Sequence, residues 1–248
     1  MKNLQLSIVL FLISLIAFSQ TKESNSQGPC LSGDCTEGYS YYYNKTTQIV
    51  YIGWYKDGLY DGPGYLQNAD GSYVFSNFTK GKIDSYSVYN FGNGKGSGIF
   101  KMGVKQGNHF LEHKSTTMAR KVITYKDDVI TSEKVHEVSA DNTNNCMSGD
   151  CDNGFGIKRQ AQDKILVGEF KDGKLIYGEY LNPFTQVSSF KKSGLDTTFE
   201  YRYYNKDGIE IAGDYSNNNR NGRTVMLKLS EGILQGAITE NGKVVKRF

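Results

Sequence analysis

A period near 23 residues runs through most of this chain, and it constrains the fold more than any other feature. Ten anchor positions recur: Gly33, Gly53, Ser76, Gly98, Ile123, Gly149, Gly168, Ser188, Gly213 and Gly236. The steps between them range from 19 to 26 residues. Two residues after each anchor stands an apolar or aromatic side chain: Cys35, Tyr55, Phe78, Phe100, Tyr125, Cys151, Phe170, Phe190, Tyr215 and Ile238. Five residues after each anchor stand Gly38, Gly58, Gly81, Gly103, Asp128, Gly154, Gly173, Ser193, Asn218 and Asn241. Nine of these ten are Gly, Asn or Asp, the residues that tolerate positive φ. Polar pairs such as Lys56-Asp57 and Lys171-Asp172 fill the gap between the two columns.

This pattern predicts one β-hairpin per unit. The aromatic column is read as the inward face of a strand, and the polar pair with its glycine as a tight turn. The anchor glycine leaves room for an aromatic ring from a neighbouring strand. A single hairpin cannot bury its own face, so neighbours must stack to make a core. Composition agrees: 28 glycines, 18 tyrosines and only 3 prolines suit many short strands joined by turns. The net charge of +3 excludes a strongly basic nucleic-acid binder.

The best units resemble the MORN repeat family, whose unit reads Tyr-x-Gly-x-aromatic-x-x-Gly-Lys-x-x-Gly-x-Gly. Tyr51, Gly53, Tyr55, Gly58, Gly62 and Gly64 match almost the whole motif. Gly168, Phe170, Gly173 and Lys174 match with one inserted residue before Gly178. Gly98, Phe100, Gly103 and Gly107 match without the leading tyrosine. Gly213, Tyr215 and Gly222 match with Asn218 in place of glycine. The resemblance implies an all-β chain, an elongated array of antiparallel hairpins, with a binding or scaffold role and no reaction.

A longer duplication divides the chain. Cys30-Leu31-Ser32-Gly33-Asp34-Cys35 recurs as Cys146-Met147-Ser148-Gly149-Asp150-Cys151. The polar run Asp141-Asn142-Thr143-Asn144-Asn145 precedes the second copy, so we expect repeat halves over residues 30–140 and 141–248. They form either two subdomains or one continuous array. Residues 1–19 read as a secretory signal peptide: a basic start at Lys2, an apolar run over residues 6–18, and small residues Ala17 and Ser19 before the expected cleavage. Residues 20–29 form a short linker. The expected location is therefore periplasm, cell envelope or extracellular space, with no later segment apolar enough to span a membrane.

All four cysteines sit in the duplicated elements, and an exported chain favours disulfides. Cys35 and Cys151 occupy one column five units apart, or roughly 48 Å along a linear array at about 4.8 Å per strand. A disulfide needs Cα atoms within about 7 Å. Local pairs Cys30 with Cys35 and Cys146 with Cys151 are therefore expected unless the array folds back. Free thiols and a zinc site are the rivals; the cysteine spacing is not the usual one for zinc.

Three other motifs carry rival readings. His109-Phe110-Leu111-Glu112-His113 spells a metalloprotease pattern that needs a helix. The repeat places it on a strand, where His109 and His113 would stand about 13 Å apart, so a solvated strand face is expected. Gly92 to Gly98 lacks the Lys-Ser/Thr pair of a phosphate loop and reads as a turn. Tyr41, Tyr42, Tyr43, Tyr203 and Tyr204 form a candidate binding surface, against the plainer reading of rings packed over glycines.

The reading that results is an exported, non-catalytic MORN-like scaffold that binds a protein or a cell-envelope component. It needs no cofactor and no metal and binds no nucleic acid, and peripheral membrane contact is compatible with it. A module that binds glycans or lipid head groups through exposed Tyr and Lys is the alternative, and a cryptic hydrolase a third.

Overall fold

The computed structural model describes residues 30–92, 94–112, 119–138, 145–160, 164–182, 187–192, 199–204, 207–216 and 219–248, with backbone alone over 187–192. The expected signal peptide, the linker over 20–29, residues 141–144, His113, Ser193 and Asn218 lie outside the described residues.

The chain is all-β, with antiparallel pairing throughout. The first sheet runs in order through β1 (Cys30–Ser32), β2 (Gly38–Tyr43), β3 (Val50–Lys56), β4 (Leu59–Gln67) and β5 (Tyr73–Thr79). It continues through β7 (Tyr86–Asn90), β8 (Lys95–Lys101), β9 (Val104–Glu112), β10 (Arg120–Lys126) and β11 (Val129–His136), while β6 (Lys82–Ile83) pairs with β5 alone. The second sheet comprises β12 (Cys146–Gly149), β13 (Phe155–Arg159), β14 (Ile165–Lys171), β15 (Lys174–Asn182) and β16 (Val187–Lys192). Then follow β17 (Phe199–Tyr204), β18 (Ile209–Ser216), β19 (Asn219–Lys228), β20 (Ile233–Glu240) and β21 (Lys243–Arg247), each beside its predecessor.

The local devices follow the repeat. Asp57-Gly58, Lys80-Gly81, Met102-Gly103, Asp127-Asp128 and Asp172-Gly173 all have positive φ at both residues. That is the two-residue type I′ turn, whose twist matches the flanking strands. Both cysteine pairs are at bonding distance, Cys30 to Cys35 at 2.16 Å and Cys146 to Cys151 at 2.03 Å. Each closes the short edge strand that opens its sheet. The local pairing is thus the one found.

The two halves do not run on as one line of hairpins. Between His136 and Cys146 the chain passes to a second sheet, and the two sheets pack face to face. Ile52, Tyr65, Phe75, Val88, Phe110 and Val122 of the first share one core with Ile157, Val167, Tyr177, Tyr201, Val225 and Leu227 of the second. The order is inverted. Phe75 of β5 meets Tyr201 of β17 at 4.9 Å between ring centroids, and Phe110 of β9 meets Tyr177 of β15 at 5.6 Å. At one end the ring of Tyr39 in β2 covers Gly236 in β20, and at the other His136 in β11 meets Phe155 in β13. The physical reason is the alternation of strands. Every second residue forms an apolar face, which one sheet cannot cover by itself.

The best-matched members of the aromatic column are buried, but on the face turned away from the partner sheet; Tyr125 is half-buried, and Ile238 packs against the core between the sheets. Tyr55, Phe78 and Phe100 join Tyr51, Tyr60, Val74, Ile83 and Tyr89 in a separate outer core of the first sheet. Phe170 sits in a smaller outer cluster of the second with Leu166 and Leu175. Tyr215 is buried too. Each ring removed from water in this way stabilises the fold by about 1.5–3 kcal/mol.

Candidate functional site: an open cleft and a buried ionic cluster

Aromatic rings fill most of the space between the sheets, but two places are lined by polar groups. The first is a cavity of about 10 Å³, room for one water, between Lys95, Ser97, Glu112 and Arg120 on one side and Val167 and Glu179 on the other. Lys95 opens β8, directly after the glycine-rich turn. Its Nζ donates to the Tyr201 hydroxyl at 3.3 Å and lies 4.9 and 4.7 Å from the ring centroids of Tyr201 and Tyr203. Tyr201 in turn donates to the Glu210 carboxylate at 2.6 Å. Burial pulls the Lys95 pKa down, while Glu179, Glu210 and Glu112 oppose the shift. The carboxyl of Glu112 is pushed up, chiefly by desolvation and then by Glu179.

Beside it the buried Arg120 guanidinium donates to Glu179 at 2.7 Å across the sheets. Arg223 of β19 makes a second crossing. It donates to the Asp61 carbonyl at 2.8 Å and to the carboxylate of Asp214 at 3.2 Å. These groups fix the register of one sheet on the other. Arg120 and Glu179 are buried, so removing one of them strands the other charge in a dry interior, whereas Arg223 and its carboxylates keep contact with water.

The second place is a cleft of about 620 Å³ where β10 and β11 face β12 and β13. A hydrogen-bonded chain forms one wall: Ser132 donates to Thr124 at 2.8 Å, and Thr124 donates to Asn108 at 2.6 Å. The Asn108 amide then donates to Glu169 of the second sheet at 2.8 Å. Ser148, Gly149 and Asp150 form the opposite wall, held by the adjacent Cys146–Cys151 disulfide. Asp150 caps its own turn, accepting from the backbone of Asp152 and Asn153 at 2.9 Å each, which lowers its pKa. The inner end is apolar, with the His136 ring 4.6 Å from Phe155. Burial, helped by Lys134, lowers the His136 pKa and keeps the imidazole neutral at pH 7.

The residues singled out from the sequence go elsewhere. Tyr41 and Tyr203 pack against the core between the sheets, and Tyr42 against the outer core of the first. Tyr43 and Tyr204 are half-buried, and the Tyr204 hydroxyl is 3.5 Å from Arg202. The five are divided between β2 and β17, on two sheets.

The metalloprotease pattern is split across the strand, with His109 on the outer face and Glu112 at the rim of the inner cavity. His109 is not on a solvated face as expected. It is fully buried, because its ring fills the space above Gly98. Its Nε2 faces the Ile99 carbonyl at 3.0 Å and must carry the proton, so Nδ1 accepts from the Tyr89 hydroxyl at 2.8 Å. Among the described residues no three His, Cys, Asp or Glu side chains are grouped closely enough to hold a metal ion. The ionic cluster escaped sequence reading. Glu179 shares its face with Tyr177 two residues earlier, but the partner charge lies 59 residues away.

No protein-family model matches the sequence, and no curated protein matches it either.

Proposed function

We propose that this chain is an exported, non-catalytic scaffold of MORN-like type that captures an extended segment of another protein along β11. The observation that carries this reading is the state of that edge. Seven of the eight residues of β11 are exposed, among them Val129 (64%), Ile130 (54%) and Val135 (42%). An exposed strand edge presents unpaired backbone N–H and C=O groups to which a further strand can add. The sheet edges at β1 and β12 are short and closed by disulfides, and β21 carries Lys243, Lys246 and Arg247, which discourage pairing.

A second copy of this chain is a poor occupant. Thr131 is an extra residue in the register with β10, so the regular part of β11 covers residues 132–136. An antiparallel self-pairing of that stretch puts Lys134 opposite Lys134, and like charges directly opposite are destabilising. An extended segment of a different protein avoids this conflict.

Export is part of the proposal and is supported by the two disulfides, which suit an oxidising compartment. Among the described residues no helix is long and apolar enough to cross a membrane. The test is capture from envelope fractions with the mature chain, beside a variant carrying Ile130→Lys and Val135→Pro. Partners retained by the first and lost by the second support the reading. An identical set on both defeats it. Intact mass should place the mature N-terminus at Gln20.

A further inference from the structure

We propose that the cleft between the β10–β11 hairpin and the β12–β13 hairpin binds a hydroxyl-rich saccharide of about two rings, neutral or carrying an amino group. Side chains of β11, among them Ser132, Lys134 and Val135, line this site, whereas the scaffold reading uses the backbone edge of that strand, and the site does not depend on that reading.

The lining of the cleft differs from the rest of the space between the sheets. Over most of the space between the sheets, rings from both sides meet and exclude solvent. At this end the inward positions of β9, β10 and β11 are Asn108, Thr124, Ser132 and Lys134, which are too short or too polar to close the gap. About 620 Å³ remains, within the roughly 300–1,000 Å³ usual for small-molecule sites. The hydroxyl and amide donors of Ser132, Thr124 and Asn108 are spent along their own chain, which leaves acceptor lone pairs, the Lys134 ammonium and the Asp150 and Glu137 carboxylates to meet a ligand. A saccharide offers alternating donors and acceptors, and its C–H faces suit the apolar end at Phe155 and His136.

Charge narrows the class further. Lys134 is the cation on the lining, against the carboxylates of Glu137 and Asp150, while His136 is held neutral. The lining therefore sums to one negative charge, which repels phosphates, uronic acids and acidic peptides and accepts a neutral or amino sugar. The walls are also rigid. One wall is strand backbone with a continuous hydrogen-bond chain, and the other is tied by a disulfide, so little ordering cost falls on binding.

The experiment is an amide-resolved NMR titration of the disulfide-intact mature chain with cellobiose, with its 2-amino counterpart, and with digalacturonate. The expected result is saturable perturbation at residues 132–136 and 148–150 by one or both of the first two, and at least tenfold weaker binding of digalacturonate. Ser132→Trp fills the cleft from an exposed strand, and Ser148→Trp fills it from the other wall. Each should weaken the disaccharide at least tenfold while the amide spectrum outside the cleft stays that of the parent fold. Perturbations centred on Tyr41 and Tyr203 instead of the cleft would overturn the assignment. So would tighter binding of digalacturonate, unaltered affinity in both Trp variants, or no response to either neutral or amino disaccharide.

Discussion

The outer faces of the two sheets are built on the same plan and filled differently. In the first, the Tyr51 ring lies over both Gly53 and Gly64, where an added Cβ would sit 2.6 and 2.5 Å from its hydroxyl. Tyr51 also stacks on Tyr60 with centroids 3.7 Å apart and donates to the Trp54 carbonyl at 3.0 Å. At the next well-matched unit the cover over Gly98 is the imidazole of His109. In the second sheet Gly168 and Gly178 also face each other, but there the backbones themselves close the gap. Leu166 stands where the first sheet has Tyr51, and among the described residues Phe170 and Leu175 complete the buried cluster, with Tyr180 packed against it. Glycine sets how closely the strands approach. The residue above it decides whether that approach becomes a second core.

If this contrast is right, the largest effect belongs to the ring that covers two glycines. Tyr51→Ala should cost about 5 kcal/mol and Phe170→Ala about 3 kcal/mol, the two ends of the range for deleting a buried ring. Denaturant midpoints measure both, and equal losses would erase the distinction.

A second test separates side-chain from backbone cover. Gly98→Ala and Gly168→Ala should each cost about 3 kcal/mol as overpacking changes. His109→Ala should recover part of the loss at Gly98, because the obstacle there is a ring. Truncating Leu175 should recover little at Gly168, because the nearest atom is the Tyr177 carbonyl oxygen. A double-mutant cycle reads the difference directly.

The turns should not distinguish the sheets. Gly58 and Gly173 have φ of 73° and 70°, so Gly58→Val and Gly173→Val should each cost about 2 kcal/mol. A silent change at either site would break the repeat register in that sheet.

Acid should act through the first outer core. Burial pushes the His109 pKa down to about 3 from 6.5, so the unfolded chain binds the proton first. Stability is then full above pH 6.5 and falls as pH drops toward 3. The loss from this group should reach about 1.4 kcal/mol by pH 5.5. His136 shifts in the same direction, and the raised carboxyls of Asp214 and Glu112 shift in the opposite sense at lower pH. Unfolding of His109→Phe compared with the parent between pH 7.5 and 5.5 should show a shallower slope. The smallest effect is the control: Lys171→Ala, on an exposed turn, should cost at most about 0.5 kcal/mol.

Much of this architecture was legible because it is local. The turn at Asp172-Gly173 and the loop from Cys146 to Cys151 depend on neighbours only a few residues away. The face on which Phe170 is buried was not legible. Alternation says that a residue points to one side, not which side the partner sheet will cover. The ionic cluster was hidden for a similar reason. Lys95 follows a turn, and nothing near it in the sequence shows that β17 brings Tyr201 over it from 106 residues away, with Tyr203 beside it. The cleft depends on a mismatch between two hairpins that are distant in sequence, and no window along the chain contains it.

The inverted order of the sheets has a consequence for how the chain is made. Strands β9 to β11 find their facing partners soon after the crossover, in β13 to β15. Strands β2 and β3 wait for β20 and the residues after β21: Tyr39 is covered by Gly236, and the Trp54 ring packs on Phe248 at 5.2 Å. During synthesis each sheet grows by quick local pairings, while β2 and β3 hold their inner aromatic face open until β20 and β21 have been made. Contacts of such long sequence separation form slowly and leave apolar surface exposed in the meantime. Loss of the C-terminal hairpin should therefore uncover the first strands made, and aggregation of such a truncated chain should begin at Tyr39 and Trp54.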